Sequence, residues 1–169
     1  MNEAFELRTL TLEDETAFLA MTNKSNTFHH PWVQAPLTSV AFQAFYERSL
    51  KENQSSFLVL LQNNIVGVFN ISEIVRGNFQ SAYLGFYSAI DYAGQGWMSK
   101  GLKLLQAYAF NDLKLHRLEA NIQPQNVASI NLVKRNGFRE EGFSPRYLQI
   151  NGKWCDHLRF AITQEEWQS

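Results

Sequence analysis

The chain has only one cysteine, Cys155, among its 169 residues. A lone cysteine can form neither an internal disulfide nor a multi-cysteine metal cage, so we expect a buried, inert thiol. No apolar run approaches the roughly 18 residues that cross a bilayer, and residues 1–6 are acidic where a secretory signal would be basic. These absences exclude a disulfide framework and a membrane partner, and they predict a cytoplasmic protein.

The sequence also has no excess of positive charge. Its 15 Lys and Arg residues are balanced by 16 Asp and Glu residues, the sequence pI is near 6.4, and the basic residues are scattered. Nucleic-acid binding needs a basic patch, so this function is not indicated. Repeats, low-complexity tracts and linkers are absent as well. With 45% apolar residues, the composition predicts one compact domain over residues 1–169.

Hydrophobic periodicity predicts helices and strands in a mixed order. The predicted elements are a strand at 5–11, helices at 12–22 and 39–51, strands at 57–61, 65–71 and 83–88, a helix at 97–112, a strand at 116–123, a helix at 127–135, and two final strands. Asn63-Asn64 and Asn151-Gly152 mark two hairpins. The strands before residue 94 form an antiparallel meander without crossover helices, which argues against a doubly wound nucleotide fold. The predicted fold class is mixed α+β.

Two glycines, Gly94 and Gly96, stand where a predicted strand ends and a helix begins. Without a Cβ the backbone can turn sharply there and bring its N–H groups to a ligand, and the helix start attracts an anion. The sequence has Ser99 at the third glycine of a dinucleotide fingerprint, and it lacks the Gly-Lys-Ser/Thr of a P-loop. A bound pyrophosphate is the hypothesis, and a plain tight turn is the alternative.

This order of elements, with the glycine loop after the fourth strand, resembles the GCN5-related N-acetyltransferase (GNAT) family, whose acetyl-CoA site carries Gln/Arg-x-x-Gly-x-Gly/Ala. Residues 126–138 resemble that family's Asn-x-x-Ser/Ala followed by a helix that ends in Gly-Phe. Residues 141–157 resemble the RimJ/RimL branch, the ribosomal-protein N-terminal acetyltransferases, and the RimJ side most closely. The resemblance runs essentially end to end. It implies a central, mostly antiparallel sheet flanked by helices, and an acetyl-CoA-dependent enzyme.

The resemblance also implies where acetyl-CoA, the acetyl-donor co-substrate, is held. The strand that contains Tyr87 and the strand that contains Glu119 should splay apart, so that free backbone groups can bond the pantetheine amides. The glycine loop should hold the pyrophosphate. The implied cofactor-binding residues are Phe86, Tyr87, Ser88, Gly94, Gln95, Gly96, Trp97, Met98, Ser99 and Asn126.

The loop and the following helix depart from the family pattern. Ala93 stands where Gln or Arg is frequent, and Met98 stands where Gly or Ala is usual, so the loop is expected to be tighter or looser than typical. Many members carry a tyrosine that protonates the leaving thiolate, and Val133 stands at that position. Ser129 lies one turn earlier on the same helix face and is the candidate replacement. The alternative is a helix-start serine bonded to nearby backbone.

A general base is also missing from its expected positions. Asn121 and Arg146 stand where relatives carry a glutamate, and neither side chain accepts a proton usefully. Glu119 shares a strand face with Asn121, and Glu73 ends the third strand facing the expected cleft. Either carboxylate could act directly or through water. A solvated or ion-paired carboxylate is the alternative for each.

The missing base bears on the acceptor. An α-amine with a pKa near 7.8 is neutral in roughly one molecule in ten at pH 7, at a cost of about 1–1.5 kcal/mol, whereas a lysine amine costs about 4.6 kcal/mol. The leading function is therefore acetyl transfer to a protein N-terminus, such as that of a ribosomal protein, by direct attack in a ternary complex. The alternatives are transfer to a small amine, such as an antibiotic or polyamine, and a non-catalytic acyl-CoA sensor.

The early helices and the last hairpin should build the acceptor site, with residues 28–36 as its rim. His30 and Trp32 are the candidate substrate-binding residues there, and an aromatic loop that covers the core edge is the alternative. The adjacent pair His29-His30 lacks the spacing and the further ligands of a metal site. We predict no metal.

Overall fold

One seven-stranded sheet organises the protein, which is described here by a computed structural model of residues 4–167. The spatial order is β1-β2-β3-β4-β5-β7-β6, and every neighbouring pair is antiparallel except β4 and β5. The strands are β1 Phe5–Thr9, β2 Ser55–Leu61, β3 Asn64–Val75, β4 Ser81–Ser88, β5 Arg117–Ile122, β6 Arg139–Ile150 and β7 Lys153–Thr163. The mixed α+β class and the mostly antiparallel sheet are confirmed. The acidic start at residues 1–3 and the last two residues of the predicted domain lie outside the described residues.

Helices cover both faces of this sheet. They are α1 Glu15–Lys24, α2 Asn26–His29, α3 Ser39–Ser49, α4 Trp97–Ala107 and α5 Val127–Arg135. The predicted helix at 97–112 is present as α4, and it continues without a break into the π-helical turn Tyr108–Asp112. In that turn the N–H of Leu113 donates to the Tyr108 carbonyl at 3.0 Å. The predicted helix at 12–22 begins instead with the 3₁₀ turn Leu12–Asp14.

Two apolar cores lie on opposite faces of the sheet. On one face α4 and α5 pack against the sheet through buried residues such as Leu102, Leu105 and Val133. On the other face α1 and α3 contribute Phe18 and Phe42, whose ring centroids are 5.2 Å apart. Because strand side chains alternate between faces, the central strands β2, β3 and β4 contribute to both cores; Val59 lies in one and Leu58 in the other. The sheet is therefore the middle layer of three.

Both predicted hairpins are present, one with a shifted turn. Asn151 and Gly152 have φ angles of 51° and 76°, as a two-residue type I′ turn requires. The first hairpin turns at Gln62 and Asn63, with φ angles of 50° and 67°, so β3 begins at Asn64. The turn thus lies one residue earlier than Asn63-Asn64, because Asn64 already pairs with Leu61 across the strands.

The sheet is incomplete where its two halves meet. β4 and β5 pair only as Ser81↔Arg117, Ala82↔Leu118 and Tyr83↔Glu119, and the strands then diverge. From Leu84 onward β4 pairs with β3 alone. The splay that the resemblance implied is therefore present, and it opens one edge of β4.

Three further expectations concern single features. Cys155 is half-buried on β7, so the expectation of a buried thiol is wrong: this part of β7 pairs with β6 near the hairpin turn, and Trp154 and Asp156 on either side of it are exposed. Within residues 4–167 no helix is long and apolar enough to cross a membrane. No group of three or more His, Cys, Asp or Glu residues in the same range is arranged to hold a metal ion.

Candidate active site

A cleft of about 740 Å³ opens beside the splayed end of β4. Its walls come from the end of β4, the loop that leads to α4, the first turns of α4 and α5, and the segment around α2. Ten of the residues predicted for the site line it: Phe86, Tyr87, Ser88, Gly94, Gly96, Met98, Ser99, Asn126, Ser129 and Trp32. The other five predicted residues, Gln95, Trp97, His30, Glu119 and Glu73, do not line it. The sequence thus located the cleft but not every side chain in it.

The glycine loop presents free backbone donors to the cleft. Gly94 and Gly96 have φ angles of 74° and 84°, in the left-handed region that favours glycine, and α4 begins directly afterwards. The N–H groups of Gly96, Trp97, Met98 and Ser99 donate to no acceptor within residues 4–167. A Cβ on either glycine would meet no atom within 4 Å. Free amides at a helix start form an anion-binding site.

The charges around the cleft favour the same ligand. Lys100, Lys103 and Arg135 line it, and no Asp or Glu of the described chain does. Lys100 also lies over the Trp97 ring, with its Nζ 4.2 Å from the ring centroid. Cations beside free amides stabilise a negatively charged group, and a diphosphate carries such a charge.

Gln95 and Trp97 support the loop from outside the cleft. The Trp97 indole N–H donates to Gln95 Oε1 at 3.3 Å, and Gln95 Nε2 donates to the Asp91 carbonyl at 2.8 Å. The Trp97 ring stacks on Phe5 with centroids 5.6 Å apart. Their side chains therefore hold the shape of the loop. The Gln95 N–H donates to the Tyr92 carbonyl, so of these two residues only Trp97 offers a free backbone N–H to a ligand.

Met98 adapts to its unusual place in the motif through a glycine on β3. A Cβ built on Gly67 would lie 2.3 Å from Met98 Sδ and 2.9 Å from the Tyr87 carbonyl oxygen. The absence of that carbon leaves room for the Met98 side chain, which packs against the core on the α4 face. The side chain of Met98, which replaces the usual Gly or Ala, is thus accommodated in the space beside Gly67.

At the start of α5, Asn126 and Ser129 both face the cleft. Asn126 caps the helix, with its Oδ1 accepting from the Ser129 N–H at 3.3 Å. The Ser129 hydroxyl bonds to no atom of residues 4–167, so the alternative in which it caps nearby backbone is not observed. Val133, at the position of the family tyrosine, is fully buried. Ser129 is therefore the hydroxyl that α5 offers to the cleft.

His29 is a cleft residue that the sequence interpretation passed over. Its Nε2 lies 2.9 Å from the Ser88 carbonyl oxygen. A carbonyl only accepts, so Nε2 carries the hydrogen and Nδ1 bears a lone pair. Nδ1 is buried and has no partner in the described chain. Burial lowers the pKa of His29, which favours the neutral ring.

The neighbouring His30 lies exposed and outside the cleft. The sequence carried no signal that separated the two histidines, because both stand in one irregular stretch and the selection of His30 rested on that stretch alone. The end of the short helix α2 separates the two histidines. His29 is the last residue of α2 and is buried, whereas His30 follows with an extended backbone. Trp32, the other predicted acceptor residue, lines the cleft.

Tyr87 contacts His29 and forms part of the cleft wall. The two rings meet edge to face with centroids 5.0 Å apart. Although its side chain is buried, the Tyr87 hydroxyl has no hydrogen-bond partner within residues 4–167. Burial raises the pKa of this phenol, so it stays protonated and can donate.

The structure brings neither carboxylate that was considered as a base into the cleft. Glu119 Oε1 accepts from Arg117 Nε at 2.8 Å, and the same guanidinium also pairs with Glu141. Glu73 is exposed on a β-bulge of β3, with a φ angle of 50°. An ion pair occupies the first carboxylate, and the bulge directs the second away from the cleft. Both match the alternative of a paired or solvated carboxylate.

Comparison with known proteins agrees with this geometry. Residues 5–139 match the acetyltransferase (GNAT) domain family. The chain is 33% identical over 120 residues, 70% of its length, to a probable N-acetyltransferase of Bacillus subtilis, YjcK. It is 38% identical over 106 residues, 63% of its length, to the [ribosomal protein uS5]-alanine N-acetyltransferase of Escherichia coli. These matches span 66% and 55% of the two relatives' own lengths.

Two further likenesses extend over nearly the whole chain. A spermidine N(1)-acetyltransferase of Vibrio cholerae is 26% identical over 172 residues, covering 99% of this chain and 97% of that protein. Among solved structures, Mycobacterium smegmatis RimJ in complex with CoA-disulfide superposes with a TM-score of 0.91 at 27% identity, covering 98% of this chain and 84% of that one. The fold of this chain and the fold of that acetyltransferase are the same.

Proposed function

This chain belongs to the GNAT acetyltransferase family, and from that premise we propose that it transfers an acetyl group from acetyl-CoA to the N-terminal α-amine of a protein. The observation that carries the proposal is the glycine loop, whose free N–H groups and surrounding cations face a cleft that opens at the splayed edge of β4. Acetyl-CoA joins a diphosphate to a chain of amides, and the cleft offers complementary groups to both.

Each part of the donor has matching groups in this chain. The amides of residues 96–99 suit the diphosphate, with Lys100, Lys103 and Arg135 nearby. The open backbone edge of β4 from Leu84 to Ser88 suits the pantetheine amides, since buried backbone groups need partners. Acetyl-CoA supplies an acyl group on a good leaving group, a thiol. The chain itself binds and orients the reactants and moves protons.

We assign the movement of those protons to two side chains. His29 Nδ1 has a lone pair and no partner, so it can accept a proton from the attacking amine. The free hydroxyl of Ser129 can donate to the departing sulfur and regain a proton from water. The new C–N bond forms as the C–S bond breaks, and the proton that the amine loses balances the one that the thiolate gains. Glu119 and Glu73 have no direct part in this scheme.

The character of the cleft favours an α-amine over a polyamine. A polyamine carries several positive charges, and the described residues that line the cleft include three cations and no carboxylate. The three cations face the diphosphate of the donor, and no lining carboxylate among the described residues is present to hold the further charges of a polyamine. An α-amine also loses its proton at far lower cost than a lysine amine, about 1–1.5 against 4.6 kcal/mol at pH 7. The likeness to the uS5-alanine N-acetyltransferase supports a protein acceptor.

A small-amine acceptor is the second candidate function. The spermidine N(1)-acetyltransferase of Vibrio cholerae matches this chain from end to end, which favours it. The lack of lining carboxylates opposes it for polyamines. A third candidate, a non-catalytic acyl-CoA sensor, was suggested by the altered loop motif. Release of the coenzyme A thiol in the presence of any acceptor would eliminate the sensor. The expected cytoplasmic location and the absence of a metal stay predictions.

One experiment separates these functions. The purified protein is incubated with acetyl-CoA and peptides that begin with Ala, Ser or Lys, with N-terminally blocked versions as controls and spermidine in a parallel reaction. The proposal expects acetylation of unblocked N-termini and little reaction elsewhere. Acetylation of the blocked peptides at lysine, or faster acetylation of spermidine, would overturn it.

A further inference from the structure

A second cavity of about 240 Å³ lies next to the cleft, and Tyr87 borders both. We propose that this cavity is a subsite of the acceptor and receives a carboxylate carried by the first residues after the reactive amine. The preferred acceptor is then a peptide with an acidic side chain close to its N-terminus. This inference rests on the proposed function and specifies its substrate class.

The cavity lies on the sheet face opposite α4. Ser56 and Asn70 pair across β2 and β3, and Asn70 pairs in turn with Gly85 on β4, so the three residues share one face. Tyr87 follows two residues after Gly85 and therefore points to the same side. These strands form the floor of the cavity, and the end of α3 with the segment at 33–36 forms its walls.

Gly85 keeps the way open between the cavity and the splay. A Cβ on this glycine would meet no atom within 4 Å, and the residue is exposed although it stands in the middle of β4. Beyond Tyr83 no strand pairs with the free edge of β4. A chain that lies across Gly85 can therefore have its amine at the splay and its next residues in the cavity.

Two polar side chains of the cavity, Tyr87 and Asn70, have donor hydrogens without an acceptor in the described chain. The Tyr87 hydroxyl is buried without a partner. Ser56, itself buried, donates to Asn70 Oδ1 at 2.8 Å, and the Asn70 amide hydrogens bond to no acceptor within residues 4–167. The buried Tyr87 hydroxyl costs free energy while it lacks an acceptor, whereas Asn70 is only half-buried. A ligand with acceptor oxygens would bond to both groups.

One arginine makes the cavity positively charged. Arg48 is its only charged lining residue among those described, and it forms no ion pair in the described chain. A guanidinium that lines the same cavity as the Tyr87 hydroxyl and the Asn70 amide matches a carboxylate, which accepts several hydrogen bonds at once. A polyamine would bring ammonium groups to a cavity that no carboxylate of the described residues lines. The cavity thus selects for an acidic peptide and against a polycation.

The test uses the full chain with saturating acetyl-CoA and two peptides that differ only by Glu or Gln at the second and third residues. The expected result is a preference for the Glu peptide of about 1.5-fold to fivefold in kcat/KM, the range of a partly exposed charge pair. Arg48→Gln should abolish that preference. The matched control is Lys51→Gln, which removes an exposed cation just beyond the same helix end and outside the cavity, and which should leave the preference unchanged.

Tyr87→Phe removes the hydroxyl alone. It should raise the KM for both peptides, with the affinity for acetyl-CoA measured separately so that any change there can be subtracted. Equal use of the two peptides by the wild-type protein, or a preference that survives Arg48→Gln, would overturn the inference.

Failure of the proposed function would look different from failure of this inference. In that case no peptide is acetylated, and peptide binding to the coenzyme A complex is measured by calorimetry instead. Tighter binding of the Glu peptide that is lost in Arg48→Gln would support the subsite by itself, and equal binding of the two peptides would refute it. Thermal unfolding of each variant shows that the fold is retained.

Discussion

Met98 and Gly67 fit each other across the interface between α4 and the sheet. The Met98 Sδ lies only 2.3 Å from the point where a Cβ on Gly67 would stand. Met98 occupies a motif position where the family usually has Gly or Ala, and the larger side chain needs space below the loop. Gly67 on β3 provides that space, so the amides of the loop remain open to the cleft.

We first predict that Gly67→Ala lowers the free energy of unfolding by about 1–3 kcal/mol through overpacking, and that it weakens coenzyme A binding because Met98 must move. Met98→Ala combined with Gly67→Ala should recover part of the loss, with a coupling energy of about 0.5–3 kcal/mol. The recovery is partial, because the Tyr87 carbonyl oxygen would still lie 2.9 Å from the new carbon. Urea unfolding and calorimetry measure both effects, and strictly additive changes would contradict the fit.

The second prediction concerns Gly96. Gly96→Ala should weaken coenzyme A binding, because a left-handed residue at the start of α4 acquires a side chain that projects into the cleft. Gly77→Ala is the matched control: its φ angle is 67°, against 84° for Gly96, and at both positions a Cβ meets no atom within 4 Å. Each change should cost about 1–2 kcal/mol of stability. Only Gly96→Ala should alter the dissociation constant, and an equal effect of both would refute the anion site.

The third prediction is a pH dependence that separates His29 from His30. In the scheme above, both His29 and the amine must be neutral. Since burial places the pKa of His29 below its ordinary 6.5, the logarithm of kcat/KM should rise with a slope of two below that pKa and a slope of one between it and the amine pKa. His29→Gln should lower the rate by about tenfold to a hundredfold and leave a slope of one throughout.

His30→Gln provides the control for that experiment, because His30 is exposed and lies outside the cleft. It should preserve both the rate and the steep acid limb. The buried ring also affects stability. A depressed pKa means that the unfolded chain binds a proton more readily, so stability should fall as the pH drops below about 6.5, and His29→Gln should remove this loss. A wild-type profile with a slope of one at every pH would rule out His29 as the proton acceptor.

The fourth prediction tests the hydroxyl on α5. Ser129→Ala should reduce kcat with little change in the acceptor KM, because the hydroxyl acts on the departing thiolate and not on the bound amine. Asn126→Ala serves as the comparison: it removes the helix cap and should cost about 1 kcal/mol of stability. The effect on kcat should shrink with a thioester whose thiol is a better leaving group. An unchanged kcat in Ser129→Ala would show that water alone protonates the sulfur.

The fifth prediction concerns the fold alone. Asp14 accepts two hydrogen bonds from Arg8, at 2.7 and 2.8 Å, and one from the Thr11 N–H, and these bonds hold its pKa below the ordinary value. Asp14→Asn should therefore cost about 1.5–3 kcal/mol at neutral pH. The native Asp14 contribution is complete above pH 4 and disappears as the pH falls through the lowered pKa, so the two proteins should converge in acid.

The exposed pair Lys24–Asp91 is the control for that measurement, with a separation of 2.7 Å and more than half of each side chain in solvent. Asp91→Asn should change the free energy of unfolding by less than about 1 kcal/mol. A loss as large as that of Asp14→Asn would mean that burial is not what makes the Arg8 pair effective.

Local patterns were enough to predict most of the fold. Helix α5, from Val127 to Arg135, has the predicted bounds because Asn126 caps its start and Gly137, with a φ angle of 88°, follows its end. The predictions were wrong where contacts with another strand fix the position of a turn. The first hairpin turn shifted by one residue because Asn64 pairs with Leu61, a contact that alternation along one strand does not specify.

In the candidate site, too, local features could be predicted and contacts with distant residues could not. Backbone features of the loop follow from its glycines, which is why Gly94 and Gly96 could be placed. The side chains of Glu119 and Glu73 could not, because an arginine two residues away on the same strand and a bulge decide where they point. The lone pair of His29 depends on the Ser88 carbonyl, 59 residues along the chain. The spacing of residues along the sequence does not predict a contact between residues so far apart.

The narrow junction between β4 and β5 has a mechanical consequence. Four strands on one side and three on the other are joined by three residue pairs, so the sheet consists of two plates that share a short seam. Flexing about that seam breaks few hydrogen bonds, and it widens or narrows the gap at the far end. Amide hydrogens of residues 81–83 should therefore exchange faster than those in the centre of β3, and a molecule that bridges the gap should slow them.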